Sequence, residues 1–182
     1  MDNNLFLTIG IEEQNNISQL SDCILHYYKT NVNENVENIT KELLSLIDSD
    51  NSTGESMAKV EELRDSLLEI RIELSKDCIM FDQFMKMNEK NRNSVHDILS
   101  QIDNELTNRT NSLNDDYDVK ALQKRYDDLK ITTVVSEQME QQLNLLIVNN
   151  KSSISSIENT VFTAITLWKN RLFLINQKKH YE

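Results

Sequence analysis

The sequence predicts an all-α fold: a long antiparallel helical hairpin or coiled coil with two short N-terminal helices packed on it. Three observations carry this. The 182 residues include no Pro and only two Gly, the residues that most disfavour a helix interior. A β-rich chain of this length would need many tight turns, and turns recruit both. Apolar residues recur at three- and four-residue steps over long stretches, as they do on one face of a helix. The hydrophobic share of 38% suits long helices that each bury a single stripe.

Taken in order, the first helix is expected over roughly 11–30, where Ile17, Leu20, Ile24 and Tyr27 or Tyr28 share a face. Asn31 to Glu34 reads as a short connection. A second helix follows from Val36 to Ile47, with Val36, Ile39, Leu43, Leu46 and Ile47 on one side. Both are short enough to be marginal alone and must pack on something longer. Asp48 to Gly54 is rich in turn-forming residues, and Ser52-Thr53-Gly54-Glu55 can open the next helix as a capping box.

That helix is expected over 55–107. Its seam runs through Val60, Leu63, Leu67, Ile70, Leu74, Cys78, Phe81, Met85, Asn88, Arg92, Val95, Leu99, Ile102 and Leu106. The steps alternate between three and four, except for two fours at Leu74, the signature of a coiled coil with a stutter. Asn88 and Arg92 are polar seam positions, where packing is expected to loosen or change partner. Asn108 to Asp118 forms the second break, with Asn114, Asp115 or Asp116 as a helix cap. The last helix is expected over 116–177, its seam passing Val119, Leu122, Tyr126, Leu129, Val135, Met139, Leu143, Leu146, Ile154, Ile157, Val161, Ile165, Trp168, Leu172 and Ile175. The polar run at 149–153 marks either a kink or a polar face. The whole chain, 1–182, reads as one elongated helical domain.

The net charge is -11, and aromatic residues make up 6% of the chain. An acidic surface without an array of stacking rings argues against nucleic-acid binding. Cys23 and Cys78 are isolated in sequence and fall on apolar helical positions, so both read as buried reduced thiols. The N-terminus lacks the basic and apolar regions of a signal peptide. No run approaches the ~18 to 20 apolar residues that span a bilayer.

Nothing in the pattern builds a catalytic or cofactor site. His26, His96 and His180 are far apart, and none has a metal-ligand partner at helical spacing. There is no Gly-rich phosphate loop, no nucleophile elbow and no zinc-protease helix. Asp115, Asp116 and Asp118 lack the Gly and distal Glu of a calcium loop and read as helix-capping residues. The expectation is a non-enzymatic protein with no cofactor and no metal.

Three stretches resemble a known family. Ile9-Gly10 through Glu13-Gln14 to Ile17, then Leu20-Ser21, Leu25 and Leu43 to Ile47, are similar to the start of the toxic-anion (tellurite) resistance proteins, TelA/KlaA. Lys59-Val60 through Asp65, Leu68, Asp77, Phe81-Asp82, Phe84 and Asn88 resemble that family's Leu/Asp-patterned helix. The most specific stretch is Lys124-Arg125-Tyr126-Asp127-Asp128-Leu129, then Gln138, Leu143, Leu146 and Asn149-Asn150, ending in Ile165-Thr166-Leu167-Trp168-Lys169-Asn170. The family has an Ile-Pro-Leu-Trp-Lys motif of this kind, with Pro where Thr166 stands here. The chain therefore looks like a short, divergent member.

The resemblance implies a helical protein acting in tellurite resistance and envelope stress through contacts with other proteins or with itself. It implies a cytoplasmic location, either free or peripheral to the inner membrane face. The rival reading is a generic coiled-coil adaptor or structural protein whose likeness reflects helical patterning alone. The residues that would carry interaction are Leu167, Trp168, Lys169, Asn170 and Arg171. Trp168 is either an anchor of the hairpin core or part of a contact surface. The apolar run from Val161 to Ile175, with Lys169, Arg171, Lys178 and Lys179 nearby, suits peripheral contact with a membrane. It equally suits a core helix with cations in its last turns.

Overall fold

A computed structural model describes residues 8–28, 32–48, 54–110 and 116–179. Among these residues the chain is all-α. Helix α1 is Ile11–Tyr28, α2 is Val32–Asp48, α3 is Gly54–Thr110 and α4 is Asp116–Lys179. The near absence of Gly and Pro lets α3 and α4 run for 57 and 64 residues.

The boundaries refine the sequence reading. Helix α2 starts at Val32, so Val32, Asn33 and Glu34 are helical rather than part of the connection. Glu34 in the first turn suits the positive end of the helix dipole. The expected capping residues Ser52 and Thr53, and likewise Asn114 and Asp115, lie outside the described residues. Asp116 opens α4. That helix is unbroken through Asn149–Ser153, where Asn149 is exposed and Asn150 is buried. Consecutive helical residues are about 100° apart, so the two amides point to different faces of a continuous helix.

The chain divides into two compact units, and α3 and α4 contribute to both. The first comprises Met1–Lys29 and Phe81–Leu145. Here α3 and α4 run antiparallel: Arg109 faces Asp118, Arg92 pairs with Glu140, and Asn88 bonds Ser136. Helix α1 lies along this pair. Its Ile17, Leu20 and Ile24 are buried, and its Tyr27 ring meets Phe81 edge-on at 4.7 Å between centroids. At the other end of α1, Gly10 adopts φ 76. A Cβ there would sit 3.0 Å from the Leu129 side chain and 3.4 Å from Ile98. Only glycine combines that left-handed backbone with so close an approach.

The second unit comprises Thr30–Met80 and Leu146–Glu182. Its core gathers Leu43 and Ile47 of α2, Val60, Leu63, Leu67 and Leu74 of α3, and Ile157, Val161 and Ala164 of α4. Arg71 of α3 donates to Glu158 of α4 at 2.6 Å. Both units therefore use one plan, a short helix laid on two stretches of the long ones. Each short helix hides its apolar stripe only by this docking.

The long seams are largely as the spacing predicts. Every predicted seam residue of α3 from Val60 to Leu106 is buried or half-buried. Two expectations are corrected. Cys78 is buried, but Cys23 is exposed. In α1 the buried stripe is Ile17, Leu20 and Ile24, and Cys23 lies one position off it. The seam also does not loosen at Asn88, which is only 1% exposed. The Asn88 amide donates to the Ser136 carbonyl and accepts from the Ser136 hydroxyl, both at 2.9 Å. A satisfied polar pair of this kind fits inside a packed seam at little cost.

Candidate interaction site

The helical period splits the five candidate residues between two faces of α4. Trp168 is half-buried and packs on the core of the second unit. Arg171 is also half-buried, and its guanidinium donates to the main-chain carbonyl of Ile47. Ile47 lies in the last turn of α2, where carbonyls lack helical partners and the dipole favours a cation. Sequence spacing alone cannot show that contact, which joins residues 124 apart. Leu167, Lys169 and Asn170 point outward and are exposed. Trp168 and Arg171 thus hold the segment in place, and the other three present it to solvent.

Thr166 continues the helix instead of breaking it. Its hydroxyl donates to the Phe162 carbonyl one turn back, at 2.9 Å. Proline at this position would carry no N–H for the helical ladder and would crowd that carbonyl.

In the first unit, two stretches noticed separately in the sequence meet. Arg125 of α4 donates through Nε to the Ile9 carbonyl at 2.9 Å and through Nη1 to Gln14 Oε1 at 2.8 Å. Gly10, between them, packs on Leu129. The Arg125-containing motif therefore anchors the start of α1. Sequence reasoning placed Arg125 in a motif but gave it no role, and it overlooked Ser136 as the buried partner of Asn88. Asn88 on a seam does signal the need for a polar partner, but nothing in the spacing says which residue supplies it.

His26 and His96 are exposed, and His180 lies outside the described residues. Asp118 faces Arg109 at 3.8 Å. Among the described residues no three His, Cys, Asp or Glu side chains converge as a metal site. No described helix is long and apolar enough to cross a membrane.

Comparison with known proteins decides the family. The sequence profile described as Toxic anion resistance protein (TelA) matches residues 28–180. The chain belongs to the TelA family. A TelA-like protein of Staphylococcus saprophyticus subsp. saprophyticus is 24% identical over 221 aligned positions, covering 94% of this chain and 59% of the relative. The chain thus spans less than two thirds of that TelA-like protein's length. No solved structure matches the chain. In this TelA-family chain the profile takes in α2, α3 and α4, including both Arg125 and the Trp168 motif.

Proposed function

We propose that the protein is a non-enzymatic helical scaffold that serves resistance to toxic anions such as tellurite by docking other components of a stress-resistance assembly. The observation that carries this reading is the division of the Trp168 motif. Trp168 and Arg171 fix the segment to the second unit, and Leu167, Lys169 and Asn170 remain exposed. A segment anchored on one side and open on the other can make a contact without reorganising the fold. Family membership supplies the context of toxic-anion resistance.

The structure guides the choice of variant. Trp168→Ala would open the core and confound function with stability. Leu167→Ser/Lys169→Ser alters only exposed side chains and should leave the urea midpoint unchanged. The test is tellurite survival of a deletion strain complemented by wild type or by this variant. Wild type should rescue survival and the variant should not, at equal protein level. Unchanged survival of the deletion strain would overturn the resistance role. Full rescue by the variant would remove the motif from it.

A further inference from the structure

Building on that docking role, we infer that the outward face of α4 in the second unit seats the protein on an anionic lipid surface. Phe162 is 74% exposed, Phe173 62%, Leu174 60% and Leu167 49%. At 3.6 residues per turn, Phe162, Thr166 and Phe173 fall within about 40° of one another. Leu167 and Leu174 lie about 100–140° further round the helix, still on its exposed side. These large apolar groups face away from the core that Val161, Ala164 and Trp168 help to build. Single exposed apolar residues are ordinary, but four large ones on the solvent side of one stretch of helix mark an interaction surface.

Charge indicates what this surface meets. Residues 146–179 carry five cations, Lys151, Lys169, Arg171, Lys178 and Lys179, against one carboxylate, Glu158. That carboxylate is engaged by Arg71. Arg171 turns inward to the Ile47 carbonyl, and Lys151 and Lys169 fall within about 40° of the two rings. Residues 30–80 of the same unit carry a net charge of -7, and the whole chain -11. This stretch thus combines a cationic excess with two protruding phenylalanines. Around the rings, Thr163, Thr166, Asn170 and Gln177 are exposed and uncharged, and can hydrogen-bond lipid headgroups. Aromatic and aliphatic side chains beside lysines, with the one carboxylate of residues 146–179 paired to Arg71, suit a helix lying in an anionic interface. A helix surface that is convex and ridged by two rings needs no pre-shaped pocket in a lipid interface, as it would in a folded protein partner.

The test is flotation of the purified full chain with vesicles of phosphatidylglycerol and phosphatidylcholine, and with phosphatidylcholine alone. Wild type should float with the anionic vesicles at low salt and weaken as salt rises. Phe162→Ser/Phe173→Ser should lower partitioning at least about tenfold, and Lys169→Gln about fivefold. Ile79→Ser, at a residue 61% exposed on α3 of the same unit, should change nothing. Failure of wild type to float with anionic vesicles overturns the inference, as does an equal loss in the Ile79 variant. Light scattering without lipid supplies a further check: a wild-type dimer that the double Phe variant dissolves would assign the face to a second copy and overturn the lipid reading. Tellurite survival is independent of these measurements, so loss of vesicle binding and loss of the resistance role are separable.

Discussion

Replacing Asn88 by Ala tests how the first unit tolerates a polar residue in its seam. Asn88 makes two hydrogen bonds to Ser136, one to the main-chain carbonyl and one from the hydroxyl, each 2.9 Å. Each is worth about 1 kcal/mol net, so Asn88→Ala should cost about 2 kcal/mol, plus a term for the space left behind. Ser136→Ala removes only the hydroxyl bond and should cost about 1 kcal/mol. The double variant loses nothing that Asn88→Ala has not already lost. It should therefore cost no more than the Asn88 variant, giving a coupling energy of about 1 kcal/mol in a double-mutant cycle, from which the cavity term cancels. Urea unfolding followed by far-ultraviolet circular dichroism reads these differences. For a chain of this size the single Asn88 change corresponds to a fall of about 4–8 °C in Tm. Effects that add to within about 0.3 kcal/mol would mean the two side chains do not interact, and the buried pair would be refuted.

Two further outcomes follow from the packing. Gly10→Ala places a Cβ on a left-handed backbone and 3.0 Å from Leu129. It should destabilise the protein by about 1–2 kcal/mol, and an unchanged urea midpoint would contradict the turn before α1. In the second unit, Arg71→Gln should change stability by less than about 1 kcal/mol, because Arg71 and Glu158 are 40% and 50% exposed and solvent screens the pair. Leu67→Ala, at a fully buried core position of the same unit, should cost about 2–5 kcal/mol. Chemical denaturation of the two variants side by side checks the order, and a reversed order would show that the ion pair outweighs the core.

Sequence by itself determined the helices and which of their faces are apolar. The reason is local: without Pro and with two Gly, nothing interrupts α3 or α4, and the three-four spacing of Leu, Ile and Val sets each buried stripe. The resemblance of Ile165 to Asn170 to the family's Ile-Pro-Leu-Trp-Lys motif singled out the segment around Trp168, the one tryptophan of the chain. Tertiary structure decided what could not be local. Arg125 reaching Ile9 and Gln14, Asn88 meeting Ser136, and Arg171 closing the end of α2 join residues 48 to 124 apart. Which polar group faces which depends on the axial register of one helix against another. That register follows from how all the side chains of a unit pack together, and helical periodicity along one chain segment carries no information about it. The same holds for the Trp168 segment. Periodicity shows that its five residues cannot all face one way, but only packing shows that Trp168 and Arg171 turn inward while Leu167, Lys169 and Asn170 face solvent.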